Sequence, residues 1–225
     1  MIKFSVIMPT YNRAFCIGNA IRHILGQSYS DFELLIIDDG STDNTYDFIM
    51  KNYSAELKSG KIVYYKIINN AGVCAARNMG LKLAKNDWIV YCDTDNTVRS
   101  NFLDVFANAI KSFPNTKTFY AKFQYLTSGT VLGQPVDFMQ LCRGNYIDMG
   151  VFCHHRSLVD AFGGFDMNIK RLVDYDLILT YTRHYTPVFI DEVIMDYKNK
   201  NDFRRITNSE DGKFINEVIM QKCKI

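Results

Sequence analysis

The sequence predicts an α/β fold with a Rossmann-like, mostly parallel central sheet flanked by helices. Short apolar runs rich in β-branched residues alternate with segments of helical period from the first residues onward, as in βαβ units. Each of the early runs ends in a polar loop. The chain has 225 residues, 48% hydrophobic and 22% charged, which suits one large domain that buries most of its unfolded surface.

The first half of the chain shows the clearest alternation. Strands are predicted over 3–8, 33–37, 61–67 and 88–92, and helices over 15–27, 43–53 and 73–84. Beyond Asp95 the pattern loosens. There we predict helices over 102–112, 174–184 and 210–222, strands over 118–123 and 188–190, and a loop over 128–135. With no repeat or linker in the sequence, a single domain over 1–225 is expected, with a smaller part formed by the second half.

Composition narrows the function classes. Lys plus Arg number 26 against 24 for Asp plus Glu, so no broad basic field points to nucleic acid as the partner. No apolar run approaches the ~20 residues that span a bilayer, and residues 1–5 do not resemble a secretion signal. We therefore expect a cytoplasmic protein. The six cysteines form no C-x-x-C pair, so buried reduced thiols are expected instead of a zinc site.

The candidate site residues lie in loops that follow the first four strands, because ligands of open α/β sheets bind beyond the carboxyl ends of the strands. The first loop offers a rigid proline, a hydroxyl and an aromatic ring in Pro9, Thr10 and Tyr11, and the ring has the shape to lie against a flat base. In the second loop, Asp38 and Asp39 leave an apolar strand together. Their mutual repulsion requires compensation.

For Asp39 a ligand role is expected, since its carboxylate could accept an N–H of a pyrimidine or a ribose hydroxyl. Asp43 is expected to cap the second helix. In the third loop, Gly72 lets the backbone approach a ligand, and Arg77 follows on the first turns of a helix. Arg77 could meet a diphosphate, or it could be an ordinary surface arginine with a salt bridge.

The fourth loop reads Asp93-Thr94-Asp95 and follows the apolar run 88–92. Two carboxylates at a strand exit suit Mg²⁺ or Mn²⁺, which take one or two protein carboxylates and complete their shell with phosphate oxygens and water. An isolated D-x-D also occurs in ordinary turns. The sequence therefore indicates a metal shared with a nucleotide diphosphate only when the four loops are considered together.

Taken in order, these loops resemble glycosyltransferase family 2, whose members have the GT-A fold. The matching segments are 4–12, 36–43, 72–80 and the D-x-D at Asp93 to Asp95. The family also carries G-G-F-D followed by E-D-x-D-L. This chain has G-G-F-D over 163–166 and Val173-Asp174-Tyr175-Asp176-Leu177. The resemblance covers roughly 1–100 and about 150–180.

The resemblance implies an inverting sugar transfer from a nucleotide-sugar, commonly a UDP-sugar, with Mn²⁺ or Mg²⁺ as cofactor. Residues at or within the matched nucleotide-contacting loops are Pro9, Thr10, Tyr11, Asp38, Asp39, Gly72, Arg77, Asp93 and Thr94. Asp95 matches the principal metal ligand, with Asp93 near the ribose or metal, and Asp174 matches the general base. On this interpretation 1–97 is the nucleotide-sugar-binding half and 98–225 the acceptor-binding and catalytic-base half.

The acceptor implied by the resemblance is a glycan or a lipid-linked precursor of a surface polysaccharide, which would place the protein in the cytoplasm or peripherally at the inner face of the membrane. The chain lacks Q-x-x-R-W, so the addition of a single sugar is expected.

Val173 replaces the usual glutamate before the base, and Asp176 remains a rival base, although a structural role as a capping or surface residue is expected for it. His154 and His155 are not assigned a catalytic role, one of them being expected to be structural. A non-catalytic sugar-nucleotide-binding subunit and a nucleotidyltransferase are the alternatives.

Overall fold

The computed structural model describes residues 1–197 and Cys223. Within that part of the chain the strands are β1 (Phe4–Thr10), β2 (Phe32–Asp38), β3 (Ile62–Lys66), β4 (Trp88–Tyr91), β5 (Thr97–Val98), β6 (Thr118–Tyr125), β7 (Val131–Leu132), β8 (Phe152–His155) and β9 (Val188–Tyr197). The helices are α1 (Ile17–Leu25), α2 (Thr45–Asn52), α3 (Ser54–Ser59), α4 (Val73–Leu83), α5 (Phe102–Ser112), α6 (Phe138–Arg143), α7 (Ser157–Phe162) and α8 (Val173–His184), with a 3-10 turn at Met149–Val151.

All nine of these strands join one sheet in the order β3-β2-β1-β4-β8-β6-β9-β5, with β7 beside β6. The first four are parallel, as expected for a Rossmann-like half. β8 then runs antiparallel to both β4 and β6, while β9 is parallel to β6. The fold is therefore the predicted α/β type, parallel where the first half of the chain builds it and mixed beyond β4.

Two apolar layers enclose the sheet. Successive residues of β1 point to opposite faces, so Val6 and Met8 join one core while Ile7 joins the other. On the first face, α1 buries residues at helical spacing, among them Ile17 and Ile21, and ends at Gly26. On the second face lie α4 and α8. Both faces of the parallel strands are thus covered, which explains their near-continuous apolar sequences.

Most predicted elements are present, with their ends shifted by a few residues. α5 has the predicted bounds, whereas β9 extends to Tyr197 and the predicted loop over 128–135 contains β7. The short elements α3, β5, β7, α6 and β8 were not predicted, because six residues or fewer carry too little periodicity to be recognised. The predicted helix over 210–222 lies outside the described residues.

The expectation of reduced thiols is wrong for one pair. Cys142 on α6 forms a disulfide with Cys223, 81 residues further along the chain. Cys74, Cys92 and Cys153 are free and buried as expected. Sequence spacing gave no indication of the pair, since only the fold brings the two positions together.

Among the described residues, no helix combines the length and hydrophobicity that crossing a bilayer requires.

Candidate active site

A cleft of about 650 Å³ opens beyond the carboxyl ends of the parallel strands, where the loops after β1 to β4 meet the start of α8. Ten of the eleven predicted site residues line it: Pro9, Thr10, Tyr11, Asp39, Gly72, Arg77, Asp93, Thr94, Asp95 and Asp174. Residues from loops more than 160 positions apart in sequence are therefore gathered in one place. Tyr11 leaves about half of its side chain exposed at this cleft.

Asp39 fastens two of these loops together. Its carboxylate accepts hydrogen bonds from the backbone N–H groups of Ala71 and Gly72, both at 2.8 Å. Burial raises the pKa of Asp39, although the two N–H donors oppose that rise. The turn that follows Asp39 needs glycine, because Gly40 has φ +78° and a Cβ there would come within 2.8 Å of the Asn70 nitrogen.

Asp38 lies outside the cleft. Its side chain is fully buried and accepts hydrogen bonds from the Ser41 N–H at 2.7 Å and the Tyr64 hydroxyl at 2.5 Å. The two neighbouring acids thus diverge, one toward the interior and one toward the cleft, and each has its own donors. This arrangement relieves the repulsion that the sequence predicts between them.

Arg77 occupies the base of the cleft between two carboxylates. Its guanidinium donates to Asp93, 3.2 Å away, and to Asp174 through the other terminal nitrogen. Only 3% of the Arg77 side chain is exposed, against 36% for Asp93 and 35% for Asp174, and the Phe165 ring lies 5.2 Å from the guanidinium carbon. Arg77 is therefore a buried bridge and not a surface arginine.

Asp174 sits in the first turn of α8. Burial raises the pKa of its carboxyl group, the charge of Arg77 lowers it, and the nearby charge of Asp93 raises it again. Val173, which replaces the expected glutamate, is buried in the apolar layer under α8. Asp176 was expected to have a structural role as a cap or at the surface; it is 2% exposed, so the expected surface position is wrong. Asp176 does not line the cleft.

Several lining residues escaped the sequence analysis, among them Asp148, Lys170 and Arg171. Asp148 accepts the Gly150 N–H at 2.8 Å, and burial, assisted by the charges of Asp174 and Asp93, raises its pKa to about 7. No local pattern marks Asp148 as a cleft residue. Lys170 and Arg171 lie between the two family-like segments of the second half. The sequence could therefore predict that they are near the site, but it could not predict their role.

His154 belongs to β8 in the middle of the sheet. Its Nε2 lies 2.9 Å from the Tyr91 hydroxyl, and its ring stacks on the Tyr91 ring. Burial lowers the pKa of His154 to about 4, so the imidazole is neutral near pH 7. These contacts are those of a structural histidine.

The residues present suit a divalent cation held jointly with a nucleotide. Asp93 and Asp95 line the same cleft, and the neighbouring Asn96 has a buried side-chain oxygen without a hydrogen-bond donor in the described part of the chain. Over residues 1–197 and 223, no three His, Cys, Asp or Glu side chains form a metal-binding group. A cation here would need phosphate oxygens and water to complete its shell, which is the usual arrangement for Mg²⁺ at nucleotide sites.

Comparison with known sequences gives a consistent assignment. Residues 5–155 match the family model described as "Glycosyl transferase family 2". The chain is 30% identical over 191 residues to "Putative colanic acid biosynthesis glycosyl transferase WcaA" of Escherichia coli K12, covering 80% of this chain and 66% of that protein. It is 30% identical over 131 residues to "UDP-Glc:alpha-D-GlcNAc-diphosphoundecaprenol beta-1,3-glucosyltransferase WfgD" of Escherichia coli, covering 58% and 49%. The chain thus spans less than two thirds of either relative.

Solved structures support the fold. S. aureus TarS 1-349 in complex with UDP-GlcNAc superposes with a TM-score of 0.81 at 18% identity, over 98% of this chain and 65% of that one. Mannosyltransferase PcManGT from Pyrobaculum calidifontis, in complex with GDP-Man and Mn²⁺, gives a TM-score of 0.66 at 21% identity, over 86% and 56%. At these identities the likeness establishes the GT-A fold, and structures of that fold include a Mn²⁺ complex.

Proposed function

Since this chain belongs to glycosyl transferase family 2, we propose that it transfers a sugar from a nucleotide-sugar, a UDP-sugar, to a hydroxyl of a glycan or lipid-linked acceptor with inversion. The carrying observation is the convergence of the donor-side loops and the Asp174 carboxylate on one cleft. The residues of 1–97 would bind the donor, while those of the second half would bind the acceptor and remove its proton.

For the donor, we propose that the first two loops bind the nucleobase and its ribose. The half-exposed Tyr11 ring offers a stacking surface, and Pro9 and Thr10 form the adjoining wall. The Thr10 hydroxyl oxygen is buried and has no partner in the described range of the chain, so it is available to a ligand. Asp39, already fixed by two backbone N–H groups, retains lone pairs for an N–H of the base or a ribose hydroxyl.

For the diphosphate, Asp95 would hold a Mn²⁺ or Mg²⁺ ion, with Asp93 and Thr94 beside it. When bound, such an ion neutralises the charge that develops on the departing diphosphate. Asp93 is at the same time tied to Arg77, which fixes the direction of its carboxylate. Gly72, at the start of α4 with φ +90°, leaves space for a ligand to approach the backbone.

For the transfer itself, we assign the general base to Asp174. Its carboxylate would accept the proton of the attacking hydroxyl as that oxygen bonds to the anomeric carbon and the bond to the nucleoside diphosphate breaks. Attack from the face opposite the departing group gives inversion. Burial raises the pKa of Asp174, while the charge of Arg77 opposes that rise and its hydrogen bond orients the carboxylate.

For the acceptor, the named relatives favour surface polysaccharide assembly. One is named for colanic acid biosynthesis, and the other for transfer to a sugar on diphosphoundecaprenol. We propose an acceptor of that lipid-linked class. A lipid anchor would bring the cleft to the inner face of the membrane, where the protein would bind peripherally.

The proposal is tested with a panel of UDP-sugars and Mn²⁺, by measuring UDP release with and without lipid-linked acceptors. Asp174→Asn should bind UDP as the parent does yet transfer sugar at least ~100-fold more slowly, because Asn cannot take the proton. Asp95→Ala should lose the metal-dependent part of UDP binding. Asp176→Asn is the matched comparison and should cost transfer much less. Parent protein that binds UDP but never releases it from any donor would identify a non-catalytic binding subunit instead.

A further inference from the structure

The rim of the cleft near α8 carries a short basic segment whose role is not explained by donor binding. Lys170 is exposed, Arg171 is half-buried, and both line the cleft four and three residues before Asp174. Four residues of extended chain span at most about 14 Å. The two cations are therefore close to the carboxylate that faces the acceptor in the proposed function.

The charge of the cleft makes these cations important. Its walls carry five carboxylates and four cations: Asp39, Asp93, Asp95, Asp148, Asp174, Arg13, Arg77, Lys170 and Arg171. Arg77 is buried and forms ion pairs with two of the acids, so little of its positive charge remains to attract an anionic ligand. Arg13 lies in the loop after β1, beside the residues assigned to the donor, so Lys170 and Arg171 are the cations that meet an anion on the α8 side of the cleft. Within the described part of the chain, Lys170 forms no ion pair.

The loop that presents the two cations is held firmly against α4. The Asn78 side chain donates to the Phe165 carbonyl and accepts from the Phe165 N–H, both at 2.8 Å. A Cβ on Gly164 would lie 2.4 Å from the Asn78 side-chain oxygen, so the contact requires glycine. Phe165 and Ile169 are buried. Such preorganisation lowers the entropy lost when the loop binds a ligand.

The same loop exposes apolar side chains on both sides of the cations. Met167 is 54% exposed and Leu172 is 40% exposed. Leu172 also has φ +53°, a left-handed conformation that costs a leucine about 1–2 kcal/mol. Leu172 also lines the cleft, and strain of this kind concentrates at ligand-contacting positions.

From these observations we infer that Lys170 and Arg171 form a second diphosphate subsite, which binds the diphosphate of an isoprenoid-lipid acceptor while Met167 and Leu172 contact the first part of its chain. The inference rests on the proposed function for the direction of transfer. Cations and apolar side chains on one rigid loop match a ligand in which a diphosphate is joined directly to a hydrocarbon. A sugar on that diphosphate would extend toward Asp174.

The test uses the full chain and farnesyl diphosphate as a soluble probe, with the donor site filled by UDP and Mn²⁺. The parent should bind the probe, and Lys170→Ala/Arg171→Ala should weaken that binding about 100-fold or more, the scale of two lost hydrogen bonds between charged groups. Affinity for UDP with Mn²⁺ should stay within about 2-fold. Lys111→Ala, an exposed lysine on α5, is the matched control and should change neither affinity.

Three results obtained with farnesyl diphosphate would overturn the inference: no binding to the parent, displacement of the probe by UDP, or an equal loss of UDP and probe affinity in the double variant. The last two would assign the cations to the donor diphosphate. If the parent protein fails to bind UDP, that result counts against the proposed function alone. The binding of farnesyl diphosphate by the parent and by the double variant is then measured without UDP, and it still tests the inference. Binding of farnesol as tight as that of the probe would also refute a diphosphate subsite.

Discussion

Replacing Arg77 with methionine removes the cation that joins Asp93 to Asp174 while keeping a side chain of comparable length. The variant leaves two carboxylates facing each other at the base of the cleft, with no charge between them. Two consequences follow. The folded state loses stability, and the carboxyl group proposed as the general base becomes harder to ionise.

The loss of stability is estimated from burial. Breaking a fully buried ion pair by removing one partner costs about 3–5 kcal/mol. Here the arginine is buried, but each carboxylate is about one third exposed and will recover part of its hydration. We therefore expect Arg77→Met to lower the free energy of unfolding by about 2–3 kcal/mol, measured by urea denaturation at pH 7.

The effect on the base follows from the same geometry. Arg77 lowers the pKa of Asp174, whereas burial and the charge of Asp93 raise it. An opposite charge at contact distance is worth about 1 kcal/mol in water and about 4 kcal/mol near a protein surface, so its removal should raise the pKa of Asp174. The acidic limb of the transfer rate should therefore move to higher pH, and part of the lost rate should return above neutral pH.

The assay is the transfer rate from pH 5 to 9, with UDP affinity measured on the same samples. Arg99→Met is the matched control, because Arg99 pairs with Asp196 at 2.7 Å away from the cleft and is 37% exposed. It should cost less than about 1 kcal/mol and leave the pH profile unchanged. An unshifted acidic limb in Arg77→Met would show that Arg77 does not tune the base. A large loss of UDP affinity would instead support the expected contact between Arg77 and the nucleotide.

Two further predictions concern His154 within the sheet and Asp39 in the loop after β2. His154, with its pKa lowered to about 4, stays neutral in the folded protein while the unfolded chain takes up a proton below about pH 6.5, so acidification favours unfolding. The stability advantage of the parent over His154→Phe should therefore shrink by roughly 2 kcal/mol between pH 7 and pH 5 in urea denaturation. Asp148 titrates in this window in both proteins and cancels in the difference, and an equal gap at both pH values would contradict the prediction. Asp39→Ala should lose about 1–3 kcal/mol of stability, because the N–H groups of Ala71 and Gly72 lose their acceptor. Calorimetry should also show that this variant binds uridine more weakly than the parent. Equal uridine affinity would mean that Asp39 only holds the loops together.

The sequence was sufficient to predict the fold class and ten of the residues that line the cleft. Apolar β-branched runs such as those of β1 and β2 can be recognised locally. Both faces of these parallel strands are buried, so nearly every residue in them is apolar. Once the strands are recognised, topology brings their carboxyl ends to one edge. Pro9, Asp39 and Asp95 could therefore be placed together without any knowledge of distances.

The tertiary structure decided what each of these residues touches. Asp38 and Asp39 are adjacent in sequence, yet one is buried beside Tyr64 and the other faces the cleft. From the sequence, Arg77 could be a phosphate ligand or a surface arginine, and in the structure it is a buried bridge between two acids. No local pattern distinguishes these cases, because the partners that determine burial and charge come from distant strands and helices.

The second half of the chain depended most on tertiary structure. The position of β8 between β4 and β6, the entry of Asp148 into the cleft and the disulfide of Cys142 with Cys223 all arise from contacts between distant segments. Short antiparallel strands and loop residues have little periodicity of their own. Their structure is set by pairing and packing energies that appear only when the whole sheet has formed, and for that reason the sequence alone could not specify them.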